Sequence, residues 1–189
     1  MQAELTSMGG EKAIGITFTD KPVTAFGGLA LFVAFAERLG LAKMLEAALP
    51  FTLTSPNATP PHQILLAFFA GVLAGARRFA QLAVLRADEP VRQLFGLRRY
   101  PSTATFTRFF RRFSAKTVTE AFAPLFAGCL ARLPHRPAGY TLDLDSSVFE
   151  RYGSQEGALK GYNPKKRGRP SHHPLFAVLA EARCIAHVW

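Results

Sequence analysis

The chain has 189 residues, 49% of them hydrophobic, and a formal net charge of +10. That length suits one domain or two small ones, and the apolar fraction is ample for a core. The charge favours polyanionic partners or an anionic membrane surface, while two distant cysteines, Cys129 and Cys184, exclude a disulfide framework and a zinc-type spacing.

The N-terminal residues MQAELTSMGGEK lack the basic-then-apolar layout of a signal peptide. Residues 1–23 are expected to form an arm, with Ile14–Asp20 as a short strand or extended segment that Lys21-Pro22 ends. Two apolar runs follow, 23–36 and 64–76. Each is shorter than the roughly 17–25 residues that a spanning helix needs. Both are therefore read as buried core helices, in a soluble, cytoplasmic chain with no membrane partner. The cysteines are expected to be buried free thiols in a reducing compartment.

From Thr24 the hydrophobic pattern is helical. LALFVAFAERLG predicts a helix to about Gly40, which stands where a C-cap would. LAKMLEAAL continues as a second helix. PFTLTSPNATPP, 50–61, reads as a loop, and Pro61 then opens a long helix. FAQLAVLRA, DEPVRQLFG, TATFTRFFRRF and KTVTEAFAPLFAGCLARL are further helical segments. In the third of these, Phe106, Phe109, Phe110 and Phe113 fall at i, i+3, i+4 and i+7 and make one apolar face. Arg108, Arg111 and Arg112 fall opposite, and Ser102 stands as the N-cap.

Positive charge is concentrated in this part. Between Arg77 and Lys116 there are ten Lys/Arg, Arg98 and Arg99 among them, against Asp88 and Glu89, a local surplus of +8. A solvated face accounts for many charged helices. Here acids hardly interrupt the arginines, and the guanidinium fork suits phosphate. The phenylalanines have the spacing of core residues rather than of base-stacking platforms.

After Leu133 the character changes. PHRPAG is a break, YTLDLDSSV predicts a strand, and SQEGALKGYNPKKRGRPSHH is a polar, basic loop. PLFAVLAEARCIAHVW predicts two strands with a turn at Glu181–Arg183. The chain thus divides into a helical part, 24–133, and the start of a β-containing part, 138–189. In the strand, Asp143 and Asp145 share one face, with Leu142 and Leu144 on the other. Two close carboxylates repel, so the pair needs a reason. The loop adds Lys160, Lys165, Lys166, Arg167 and Arg169 with no acid beside them. His172, His173, His187 and Cys184 lack the paired spacing of structural zinc sites.

The motif Asp143–Ser146, followed by Gly153–Ala158 and Gly161–Ser171, resembles insertion-sequence transposases with a DDE triad and a ribonuclease-H-like core. The branch it looks like carries an Asp-x-Asp-Ser/Thr strand, a Gly-x-Gln-Glu-Gly-Ala stretch and a Gly-Tyr-Asn-Pro-x-Lys-x-Gly-Arg-Pro-Ser loop. GGLALFVAFAERLGL and PSTATFTRFFRRF also look like that branch's helical N-terminal region. The resemblance implies a mainly α N-terminal region followed by the first strands of a truncated α/β ribonuclease-H-like domain. It implies a site that uses magnesium or manganese, with Asp145 as the first triad member and metal ligand. Asp143 is the second choice, or supports it from beside. It further implies double-stranded DNA as partner, namely the transposon's terminal inverted repeats, and admits a homodimer on that DNA. The expected DNA-binding residues are Arg98, Arg99, Arg108, Arg111 and Arg112, with Lys165, Lys166, Arg167 and Arg169.

The family's second Asp and its Glu have no counterpart, since Glu150, Glu156 and Glu181 stand in the motif loop or a strand turn. The expectation is an N-terminal portion of a transposase, inactive alone. Two other readings stay open: a DNA-binding protein or transposition inhibitor that does not cut, and a nuclease working with Asp143 and Asp145 alone.

Overall fold

The computed structural model describes residues 2–6, 13–17, 19–53, 55–153, 155, 157–164 and 166–189. The chain is mixed α and β and forms two compact units, Met1–Lys43 with Phe51–Arg112 and Met44–Pro50 with Phe113–Trp189.

The first unit begins with an antiparallel hairpin, β1 (Gln2–Thr6) paired with β2 (Ala13–Thr17). A strand was expected near Ile14; its partner was not, because QAELT has little of the β-branched and aromatic content that marks strands. α1 (Leu29–Leu39) ends at Gly40, which takes the left-handed conformation, φ 66°, that glycine adopts without strain. α2 (Leu41–Ala48) is divided between the units. α3 (Pro61–Leu73) starts on its proline, whose missing N–H is no loss in a first turn. A 3-10 turn (Phe79–Leu82) runs into α4 (Ala83–Arg86), and α5 (Glu89–Leu94) follows. Asp88 caps α5 by accepting from Val91 N at 2.9 Å, and Thr24 Oγ1 donates to its other oxygen at 2.6 Å.

α6 (Thr103–Phe110) is capped by Ser102, whose Oγ accepts from Thr105 N at 3.2 Å. The helix stops at Arg111, one turn short of the expected end at Phe113. Its inner face packs as its spacing predicts. Phe106 and Phe109 are buried and Phe110 is half-buried. Phe68, Phe79, Phe106 and Phe110 form one ring cluster, with Phe79 stacked on Phe110 at 5.6 Å and Phe68 edge-on to Phe110 at 5.0 Å. Phe113 belongs instead to the second unit, where it meets Phe122.

In the second unit α7 (Ala115–Leu130) packs on a strand, and its Gly128 lies close to the Met44 side chain of α2. Two antiparallel sheets follow. One has the order β3-β7-β8, from β3 (Leu142–Ser146), β7 (Leu175–Leu179) and β8 (Cys184–Val188). The other has the order β4-β6-β5, from β4 (Phe149–Glu150), β5 (Leu159–Lys160) and β6 (Pro170–His172). The motif region expected as an open loop is therefore tied into a small sheet. The expected turn at Glu181–Arg183 is present, and Arg183 takes φ 49° there. The thiols differ from expectation: Cys129 is exposed, on a helix of which only Ala121 is fully buried, and Cys184, at the start of β8, is half-buried. Among the described residues no helix is long and apolar enough to cross a membrane.

Candidate functional site

The acidic strand lies at an edge. β3 pairs on one side with β7, and among the described residues no strand pairs with its other side. The register sets Asp143 against Val178 and Asp145 against Phe176, while Leu144 faces Ala177 and, beyond it, His187. Residues opposed across an antiparallel ladder share a face. The aspartates therefore share theirs with Phe176 and Val178, and the leucines share the other with Ala177 and His187. α7 packs on β8 and covers that second face, where the Phe126 and His187 rings meet at 5.5 Å. Ala177 is buried beneath it, but β3 is the strand farthest from β8, so Leu142 and Leu144 stay 54% and 59% exposed. Asp143 and Asp145 are both exposed, and neither carboxylate has a hydrogen bond or ion pair among the described residues.

The start of β3 is pinned. The Glu181 carboxylate accepts from Thr141 N at 2.9 Å and from Thr141 Oγ1 at 2.8 Å. The Thr141 backbone N–H, more than any other partner, holds the Glu181 carboxyl below its ordinary value.

The motif region folds beside this sheet in the same unit. Asn163 is buried, and its Oδ1 accepts from Lys166 N at 3.0 Å, which shapes the turn of the basic loop. Ser171 is buried, with its Oγ 2.8 Å from His173 Nε2. Lys166 Nζ donates to the Tyr152 hydroxyl at 2.7 Å and lies 3.5 Å from Glu150 Oε2. Those partners, Tyr152 first, hold its ammonium above the ordinary value. Arg169 lies over the Tyr152 ring at 4.9 Å. Lys166 and Arg169 thus flank one exposed tyrosine, and Arg167 is exposed beside them. Lys165 falls outside the described residues.

In the first unit the arginines separate by partner. Arg92 closes on Glu89, and this ion pair, with Gln93 Nε2 donating at 2.8 Å, holds the Glu89 carboxyl down at about 2. Arg99, Arg108 and Arg112 line one cleft between α6 and the loop before α3. Arg111, the C-cap of α6, is not among the described residues that line it. Arg98 lies next to Arg99 and Asn57 outside that cleft. Lys116 is on α7, in the other unit, 3.7 Å from Glu120.

The sequence reading missed the Thr141–Glu181 clasp and the role of the loop 51–60 in building the cleft. Thr141 and Glu181 are 40 residues apart, so no local pattern links them.

A family model described as transposase DDE domain group 1 matches residues 6–184. No curated protein and no solved structure matches the chain. Such transposases work with divalent metal ions. Carboxylate oxygens are suitable donors for magnesium or manganese, and Asp143 and Asp145 offer them on one exposed face, without a partner among the described residues. They fit as part of such a centre. They do not complete one, because among the described residues no three His, Cys, Asp or Glu gather to hold a metal.

Proposed function

Because the chain belongs to the transposase DDE domain group 1 family, we propose that it serves DNA transposition, with the first unit holding duplex DNA at the element's ends and β3 carrying acids of the strand-cleaving centre. The observation that carries this reading is the placement of Asp143 and Asp145. They are exposed, side by side on an edge strand of an antiparallel β3-β7-β8 sheet, and among the described residues neither carboxylate has a partner. A soluble fold gains nothing from two uncompensated like charges at that spacing. A phosphoryl-transfer centre does.

The sheet supports a ribonuclease-H-like reading of the second unit. Three adjacent antiparallel strands, with the acid on the first and the small β4-β6-β5 sheet inserted after it, suit the start of such a core, and α7 covers one face. Asp145, followed by Ser146, would be the principal ligand for magnesium or manganese, with Asp143 beside it. A bound divalent ion supplies charge to activate the attacking oxygen and stabilise the leaving one. The chain's own residues contribute oxygen donors held on a rigid strand whose start Thr141 and Glu181 fix. The arginines of the first unit, and Arg167 and Arg169 of the motif loop, supply phosphate contacts. Two copies on paired ends would suit the reaction.

The second reading, a DNA-binding protein that does not cut, is favoured by the shortage of metal donors among the described residues. Strand nicking on labelled DNA carrying the element's ends, with magnesium or manganese, separates the two. The transposase encoded by the whole element should nick and lose nicking on Asp145→Asn while still binding DNA. An Asp145→Asn protein that nicks at the parental rate would remove this assignment.

A further inference from the structure

The cleft between α6 and residues 51–60 has a volume of about 450 Å³. Its floor is apolar, from Ile64 and Phe109, both buried. Its rim carries Arg99, Arg108 and Arg112, and among the described residues neither Asp nor Glu lines it. All three arginines are exposed. Arg108 comes from α6 and Arg112 from the turn that follows it, where Arg112 N donates to Phe109 O at 3.1 Å. Arg99 comes from the segment between α5 and α6.

The internal partners of these cations are weak. Arg99 Nη2 donates to Asn57 O at 3.4 Å and Arg112 Nη2 to Thr52 O at 3.5 Å, the outer limit of a hydrogen bond. The Arg112 guanidinium also lies over the Phe51 ring at 4.2 Å. The Arg108 guanidinium has neither hydrogen bond nor ion pair among the described residues. A carbonyl or a ring leaves the guanidinium charge uncompensated. Fastening the loop would need one or two neutral donors, as Thr103 Oγ1 does elsewhere by donating to Phe79 O at 3.3 Å. Arg92, in the same unit, has its carboxylate. Three like charges about one hollow repel each other, and an anion in the hollow reverses that cost. Planar guanidinium forks from two directions suit a tetrahedral oxyanion.

We infer that this cleft seats a single backbone phosphate of the bound DNA, gripped by Arg99, Arg108 and Arg112 together. The inference rests on the DNA-binding reading above and narrows it to one seat.

The test is fluorescence anisotropy of labelled duplex DNA with the 189-residue chain across a salt series. Each phosphate contact contributes about 0.9 to the slope of log K against log salt. If the three arginines share one phosphate, the triple Arg→Gln variant loses about one unit of slope and about tenfold or more in affinity at low salt. Arg108→Gln alone, which removes nothing that the fold uses, weakens binding at an unchanged melting temperature. Arg38→Gln, an equal charge change on α1, leaves the slope alone. The triple Arg→Lys variant keeps most of the slope and loses part of the affinity, because ammonium groups lack the fork. A slope loss near three overturns the shared seat and leaves DNA binding in place. Unchanged slope and affinity overturn the site while the chain still binds. A parental chain that does not bind DNA at all overturns the underlying reading as well.

Discussion

Glu181 accepts two hydrogen bonds from Thr141, one from the backbone N–H and one from the hydroxyl, and so ties the β7–β8 turn to the start of β3. A third bond, Ala180 N to Thr141 O at 3.1 Å, closes the same corner. This corner fixes the strand that carries Asp143 and Asp145.

The clasp gives a pH dependence whose sign follows from the shift. The Glu181 carboxyl is held below its ordinary value of 4.5, first by the Thr141 N–H. A lowered folded-state value contributes stability that is complete above the ordinary value and is lost as pH falls through the lowered one. Glu181→Gln should therefore lower the melting temperature at pH 7. The gap from the parental chain should shrink as pH falls below 4.5. Melts whose gap is constant from pH 7 to pH 3 would show that the carboxylate's charge is not what stabilises the corner.

The ring cluster around α6 should be sensitive to truncation. Phe106 is 0% and Phe109 2% exposed. Replacing either by Ala should cost roughly 3–5 kcal/mol, the range for emptying a buried phenylalanine site. Phe110, half-buried, should cost less. Chemical denaturation of the three variants checks the order, and equal, small losses would place that face in solvent.

How much of this was legible in the sequence differs by element. The Phe106, Phe109 and Phe110 face, the Ser102 cap and the Gly40 stop were, because each depends on residues within two turns of one another. The end of α6 was not: Phe113 continues the spacing, but the chain leaves the helix at Arg111 to enter the other unit. The small β4-β6-β5 sheet was hidden because its strands are two or three residues long and rich in Pro, Lys and His. The alternation that puts Asp143 beside Asp145 was legible as period two. Their place on an open edge depends on which strand β3 pairs with, and only the fold decides that.

Close packing in the first unit gives a sharper case. A Cβ on Gly71 would stand 1.9 Å from Leu82 Cδ2 and 3.5 Å from the Tyr100 hydroxyl. Tyr100 is itself fixed, donating to Ala67 O, and burial raises its phenol above the ordinary value. Gly71→Ala should destabilise by about 1–3 kcal/mol through overpacking. Leu82→Ala leaves a hole next to it, costing about 2–5 kcal/mol. The double variant should cost less than the sum, because the added methyl enters the space that Leu82 vacated. Strict additivity in denaturant titrations would mean that the two positions do not touch.

The last prediction concerns the acidic pair and sets stability against activity. Asp143 and Asp145 lie on one face of an edge strand, exposed and without a cation partner among the described residues. Each raises the electrostatic energy of the other, so neither helps the fold. Changing one to Asn removes the repulsion and keeps the shape. Asp145→Asn and Asp143→Asn should therefore melt at or slightly above the parental temperature, within the small range of exposed substitutions. Both should bind duplex DNA as the parent does, since the proposed phosphate contacts lie on the arginines. Nicking by the transposase encoded by the whole element should vanish with Asp145→Asn and, on the roles proposed above, fall only in part with Asp143→Asn. Charges that cost stability are retained where function needs them. A clear drop in melting temperature for Asp145→Asn would make it a structural residue, and full loss of nicking with Asp143→Asn alone would exchange the two roles.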